Sequence, residues 1–165
     1  MTDDDVERVL ALNAAHVELL SPMDRSRLEA LRRWASRCDV ITADGVVAGF
    51  VIVMGPGTTY DSPNYRWFTE RYGDEFDYLD RVVVDDAFRR RGLASAVYDV
   101  VEAAAAKRGR LALEVNLDPP NEASLAFHRA RGYSEVGQLG PSGHIVSLMV
   151  RGSADVSPAN GRGTT

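Results

Sequence analysis

Three consecutive valines, Val82-Val83-Val84, run into the turn Asp85-Asp86-Ala87-Phe88, and Arg89-Arg90-Arg91-Gly92 then opens an alanine-rich stretch that lasts to Gly109. A β-branched strand that feeds a long helix, followed by a second strand over Leu111 to Asn116, places the chain among the α/β folds. The junction itself carries chemistry. A helix N-terminus presents N–H groups without intrahelical acceptors at the positive end of the dipole, which suits an anion. Gly92 leaves no Cβ in the way of a phosphate, Ala94 and Ser95 keep the first turn small, and the arginines add charge. The structural alternative is an arginine-rich surface turn capped by glycine. The spacing is neither GxxxxGK[ST] nor GxGxxG.

The rest of the chain divides by hydrophobic period. Val6 to Leu20 reads as an amphipathic helix that Ser21-Pro22 breaks, and a second helix starts at Asp24, a plausible N-cap, and runs through Leu28, Leu31 and Trp34. Val40–Thr42 and Val46–Met54 read as strands joined by a hairpin at Asp44-Gly45. Ser62-Pro63 marks the cap and first position of a short helix. A strand follows from Asp77 to Val84. Glu122 to Arg131 is a helix stopped by Gly132, and Tyr133–Leu139 and His144–Val150 are two final strands. The order predicts a single α/β (α+β) domain over residues 1–151, with a mixed sheet flanked by helices. Residues 152–165 are too poor in apolar side chains to pack and are expected to be a disordered tail.

Composition narrows the function classes. The 165 residues carry a net charge of −5, which argues against a general nucleic-acid partner. No apolar run approaches the roughly 20 residues needed to cross a bilayer. The acidic start Met1-Thr2-Asp3-Asp4-Asp5 lacks the pattern of a signal peptide, so the expected location is cytoplasmic. The single cysteine, Cys38, can form neither an internal disulfide nor a zinc site alone, and no metal is expected. Of the 19 basic residues all but Lys107 are arginine, which suits planar recognition of phosphates but equally reflects a biased coding composition.

Val82-Val83-Val84 with Arg89-Arg90-Arg91-Gly92-Leu93-Ala94 resembles motif A of the GNAT superfamily of N-acetyltransferases, a strand followed by [QR]xxGx[GA] at a helix start. Asn121, Ser124, Phe127-His128 and Gly132-Tyr133 are similar to that family's second signature, in the same order along residues 78–137. The resemblance implies a GNAT-like, mostly antiparallel sheet and acetyl-CoA as cofactor. It places the pyrophosphate on the backbone of Arg90 to Ser95, beside Arg89, and the pantetheine arm along Val82, Val83 and Val84. Asn121 would bond that arm while Ser124 and Phe127 line the channel. Asn121 also reads, on its own, as the N-cap of the 122–131 helix.

The implied reaction is attack of an amine on a thioester, through an oxyanion that backbone N–H groups of the Val82–Val84 strand would stabilise. A lysine-type amine of pKa about 10.4 is almost wholly protonated at neutral pH, so a base matters; an α-amine near 7.7–8.0 needs it less. Glu114, in the apolar strand Leu113-Glu114-Val115, is the first candidate base, because a carboxylate there is costly unless paired or raised in pKa. It also matches a glutamate in a similar strand of some ribosomal-protein acetyltransferases. Its alternatives are a solvent-facing position or an arginine partner. Asp80 is second. At period 2 from Tyr78, Val82 and Val84 it shares their face, and it too reads alternatively as one half of an ion pair. His128 stands where the family most often has a tyrosine that protonates the thiolate; it reads as a replacement acid, a relay or a packed helix residue.

Residues 58–77 form an insertion outside the family's common core. Across 60–78 sit seven of the thirteen aromatic residues, with five acids against Arg66 and Arg71. Tyr60, Tyr65, Trp67 and Asp80 are the candidate contacts for a cationic amine; the competing role is a packed lid or an interface with a second copy of the chain, a homodimer. Two functions stand: an acetyl-CoA-dependent N-acetyltransferase acting on a small-molecule or peptide amine, and a catalytically weak CoA-binding or regulatory module of the same fold.

Overall fold

The computed structural model describes residues 1–17 and 20–152. Helices α1 (Val6–Ala14) and α2 (Arg25–Trp34) lead into strands β1 (Ala35–Ala43) and β2 (Val46–Met54), and α3 (Pro63–Tyr72) follows. Then come β3 (Asp77–Val84), α4 (Leu93–Ala106), β4 (Arg110–Asp118), α5 (Glu122–Ala130), β5 (Ser134–Leu139) and β6 (Ile145–Gly152). The caps form as their side chains dictate: Asp24 accepts the Arg27 N–H and Ser62 the Tyr65 N–H. Two boundaries differ from expectation. The first helix ends at Ala14 rather than reaching Leu20, and β1 begins directly after Trp34 rather than at Val40. The expected tail falls outside the described residues except for Gly152, which closes β6.

The six strands form one sheet in the order β1-β2-β3-β4-β6-β5, antiparallel except for β3 against β4. Helices cover both faces. On one, Val6, Val9 and Leu12 of α1, Leu28 and Leu31 of α2 and Phe68 of α3 pack with Phe50, Ile52, Tyr78 and Ala112. On the other, Tyr98, Val101 and Ala105 of α4 and Leu125 of α5 pack with Val51, Leu79, Leu111, Leu113 and Val115. The alternation along β4 therefore sends its odd-numbered residues to one core and Ala112 and Glu114 to the opposite face.

Two irregularities shape the centre. The parallel β3–β4 ladder holds only at Asp77↔Leu111 and Tyr78↔Ala112, after which the strands part. In the β2–β3 ladder Ile52 pairs with Arg81 but Val53 with Leu79, so Asp80 is the extra residue of a bulge. The bulge resets the phase of β3. Tyr78 and Val83 belong to one core while Leu79 and Val82 pack on the other. The simple alternation expected for β3, with Tyr78, Asp80, Val82 and Val84 on one face, is corrected accordingly.

The register of β2 on β3 depends on a glycine. A Cβ at Gly49 would lie 2.2 Å from the Val83 carbonyl oxygen, so any side chain there pushes the strands apart. Gly49→Ala is expected to destabilise the fold by about 2 kcal/mol or more, read as a lower urea midpoint with unchanged m.

Candidate active site

Where β3 and β4 part, a cleft of about 830 Å³ runs between them. Val82, Val83 and Val84 form one wall, Leu113, Glu114, Val115 and Asn116 the other, and Asn121, Ser124, Phe127, His128 and Tyr98 close one side. Arg89 and Ala94 stand at one end; Arg27, Tyr60, Asp61 and Asn64 stand at the other.

At the first end the chain turns tightly into α4. Arg90 takes φ +61 and Gly92 φ +76, both left-handed. A Cβ at Gly92 would meet nothing within 4 Å, so the turn needs glycine for its backbone angle rather than for space. Gly92 caps α4 without a side-chain bond, and the first helical bond runs from the Ala96 N–H to the Gly92 carbonyl. The N–H groups of Leu93, Ala94 and Ser95 thus have no intrahelical acceptor. The arginines are less available than their sequence suggests. Arg89 pairs with Asp86 at 2.7 Å, and Arg91 grips Asp44 of the hairpin turn with two bonds of 2.6 and 3.0 Å. Among the described residues Arg90 has no such partner. Arg90, Arg91, Gly92, Leu93 and Ser95 lie at this turn rather than in the cleft wall.

Asn121 caps α5, its side-chain oxygen accepting the Ser124 N–H at 3.1 Å. Its own N–H donates to the Asn116 carbonyl, which fixes it against the end of β4. The cap uses the amide oxygen and leaves the NH2 group as a donor at the cleft.

The second end holds the titratable groups. Glu114 lines the cleft and is enclosed by protein elsewhere; it accepts hydrogen bonds from the Tyr78 hydroxyl and the Asn64 side chain. No arginine pairs with it among the described residues. Burial pushes its carboxyl up to about 7, the hydrogen bonds opposing and the nearby Asp80 charge adding to the rise. Asp80 has a different environment. It pairs with Arg81 at 2.6 Å, both side chains being about 5% exposed, and accepts from the Tyr60 hydroxyl. Arg81 reaches on to Asn13 of α1 at 2.8 Å. Asp80 is thus committed to an internal ion pair, whereas Glu114 is held only by neutral donors.

His128 is buried between α4 and α5. Its Nδ1 lies 2.7 Å from the Ser124 carbonyl, an obligate acceptor, so Nδ1 carries the proton; the Ser124 hydroxyl is at 3.3 Å. Nε2 then accepts from the Tyr98 hydroxyl at 2.7 Å. Burial lowers the imidazole pKa and keeps it neutral. The residue expected as an acid has no proton on the nitrogen that Tyr98 faces.

The insertion divides between the site and the core. Tyr60 lines the cleft, whereas the Tyr65 hydroxyl donates to the Gly55 carbonyl at 2.8 Å from a fully buried ring. Trp67 packs on Gly137 of β5, where a Cβ would come within 2.7 Å of its ring. Neither Tyr65 nor Trp67 reaches the cleft wall. Tyr78, Tyr98 and Arg27, which do contribute to the site, carried no separate signal in the sequence; Asn64 had only its place two residues past the Ser62 cap.

Between about pH 4.5 and 7 the folded chain keeps a proton on Glu114 that the unfolded chain has released. Stability therefore falls as pH rises through that window and levels off above it. The stability difference between Glu114→Gln and the parent is expected to grow in the variant's favour by on the order of 3 kcal/mol from pH 4 to pH 8, measured by urea denaturation across the range.

The sequence model of the Acetyltransferase (GNAT) family matches residues 6–133. Ard1 from Thermoplasma volcanium is similar in structure at a TM-score of 0.71 and 20% identity, over 94% of this chain and 95% of that one. A ribosomal-protein-alanine N-acetyltransferase from Brucella melitensis gives 0.66 and 21%, over 93% and 97%. Naa20 from Chaetomium thermophilum, in complex with a bisubstrate analogue, gives 0.67 and 18%, over 92% and 84%. At such identities these likenesses are of fold. A search of curated proteins found no match. The family match spans most of the chain and covers the parted strands, the glycine turn and α5, and by it the chain belongs to the GNAT family of acetyltransferases.

Proposed function

We propose that the chain transfers an acetyl group from acetyl-CoA to a primary amine by direct attack, with Glu114 as the base. The observation that carries the reading is the place of the Glu114 carboxyl in the cleft, held by Tyr78 and Asn64 and without an arginine partner among the described residues, where burial pushes it up to about 7. Such a group is ionised in a large fraction of molecules at neutral pH and still basic enough to take a proton from an amine.

The chain's own donors and acceptors fit coenzyme A. Unpaired backbone along Val82–Val84 faces the cleft, the N–H groups of Leu93, Ala94 and Ser95 together with Arg90 suit the pyrophosphate, and the Asn121 amide and Ser124 and Phe127 border the channel between. When bound, acetyl-CoA supplies an acetyl group activated as a thioester. Glu114 takes the proton of the incoming ammonium, and Tyr78 and Asn64 keep its carboxylate aimed into the cleft. Backbone N–H groups of β3 beyond the last β3–β4 pair are the donors for charge that develops on the carbonyl oxygen.

His128 is not the acid of this reaction. It is neutral, its proton is fixed toward Ser124, and its other nitrogen accepts from Tyr98. A leaving thiol of pKa near 8.5 departs without a strong acid. The role assigned to His128 is therefore positioning, together with Tyr98, of the α4–α5 side of the cleft.

Release of free thiol from acetyl-CoA on a panel of amines tests the proposal. Glu114→Gln is expected to lower kcat/KM by about 10²–10³ and to remove an ascending ionisation near pH 7, leaving only that of the amine. His128→Phe should change kcat by less than about tenfold, since a general acid is typically worth more than that. An unaltered pH profile in the Glu114 variant, or a thousandfold loss in the His128 variant, would overturn the assignment.

A further inference from the structure

The end of the cleft that holds Glu114 is rich in carboxylates and offers no open cation fork. Glu114, Asp80 and Asp61 border it, and the only cations among its described lining residues are Arg27 and Arg81. Both are engaged. Arg81 is buried, with Nε on Asp80 at 2.6 Å and Nη1 on Asn13 at 2.8 Å. Arg27 closes a fork on Asp61, Nη1 at 2.8 Å and Nη2 at 2.7 Å, with its guanidinium 5.4 Å from the Trp34 ring centre and 5.6 Å from that of Tyr60. The next cation, Arg66, lines a neighbouring groove with Thr69 and Glu70 and acts on Asp61 from there.

This arrangement discriminates by charge. A free amino acid carries its carboxylate one carbon from its ammonium. With the nitrogen at Glu114, that carboxylate would meet acids whose arginines are already engaged, and would need a planar pair of N–H donors of its own. The fork that could supply them, Arg27, is filled by Asp61. An amine with hydrogen, alkyl or a neutral amide in that position meets no such penalty, and its positive charge is favoured.

Resting on the acetyl-transfer reading above, we propose that the acceptor is a cationic amine without a carboxylate beside its amino group, and that Asp61 sets this selectivity by occupying the Arg27 fork. The ammonium is read by Glu114, the carboxylate of this end that no arginine pairs among the described residues. A carboxylate is refused because its natural partner is already taken.

Matched pairs of acceptors test it: alaninamide against alanine, and isobutylamine against valine, with kcat/KM referred to the free-amine concentration. The carboxylate-free member of each pair is expected to be favoured at least about tenfold. A favoured alaninamide points to a peptide-like amine, a favoured isobutylamine to an alkylamine, and either supports the proposal. Asp61→Asn, which releases the Arg27 fork, should narrow the preference at least about fivefold, and Asp61→Asn combined with Arg27→Met should not. Alanine and valine used as well as their partners, or a preference untouched by Asp61→Asn, would overturn it. Thermal shifts of the coenzyme A-bound protein with the same four compounds give a second reading of the order. If that order holds while no amine supports turnover, the Glu114 assignment fails and the charge selectivity stands.

Discussion

Strands β3 and β4 share two register pairs and then separate, and nearly every other feature of the molecule depends on that interruption. Parallel neighbours normally continue their ladder, because each lost pair leaves backbone N–H and C=O groups that must find another partner. Here the unpaired backbone borders a cleft. The covering helices keep the sheet intact despite the gap: α4 and α5 pack on one face of both strands, and α1, α2 and α3 on the other. The bulge at Asp80 lies just beyond the last pair, so the backbone changes phase where the strands begin to part.

Opposite electrostatic characters occupy the two ends of this opening. The α4 end presents backbone N–H groups and arginines, and the α3 end presents carboxylates in two distinct states. Asp80 and Glu114 lie on adjacent strands, yet one is bound to a buried guanidinium while the other is surrounded by neutral donors. Their different chemistry follows from one partner, Arg81, which α1 anchors through Asn13. The insertion around α3 contributes by delivering Tyr60 and Asn64 to these two acids, and its remaining aromatics build the core beneath.

Features that were legible in the sequence are those that a residue imposes on its own neighbourhood. Asp24 and Ser62 bond to backbone three residues ahead, Asp44-Gly45 makes its own turn, and Gly92 ends one element and starts another within a few positions. The family signatures belong to the same class, since they lie on consecutive turns and caps. What could not be read depends on distant contacts. Strand β1 has a single neighbour, so its residues are mostly half-buried and Ser36–Asp39 show no clear alternation. The Asp80 bulge is a property of the pairing with β2 rather than of β3 alone. The hydroxyl that closes off His128 Nε2 belongs to Tyr98, thirty residues earlier, and the partner of Asp61 is Arg27, on α2. Tyr65 and Trp67 looked equivalent to Tyr60 by composition; only the direction of the insertion's chain separates them.

The glycine turn of α4 carries its own counter-charges. Arg91 is tied to Asp44, Arg89 to Asp86, and Arg8 of α1 to Asp85. A polyphosphate on this turn would compete with resident carboxylates for Arg89 and Arg91, and would meet an unpaired guanidinium among the described residues only at Arg90. Part of its attraction to the arginines is cancelled by what it displaces, so dissolved salt, which weakens both kinds of pair, alters its binding less than three bare guanidinium groups would imply. The displaced carboxylate of Asp44 sits at the tip of the β1–β2 hairpin. The hairpin tip and the glycine turn thus share a single guanidinium, that of Arg91.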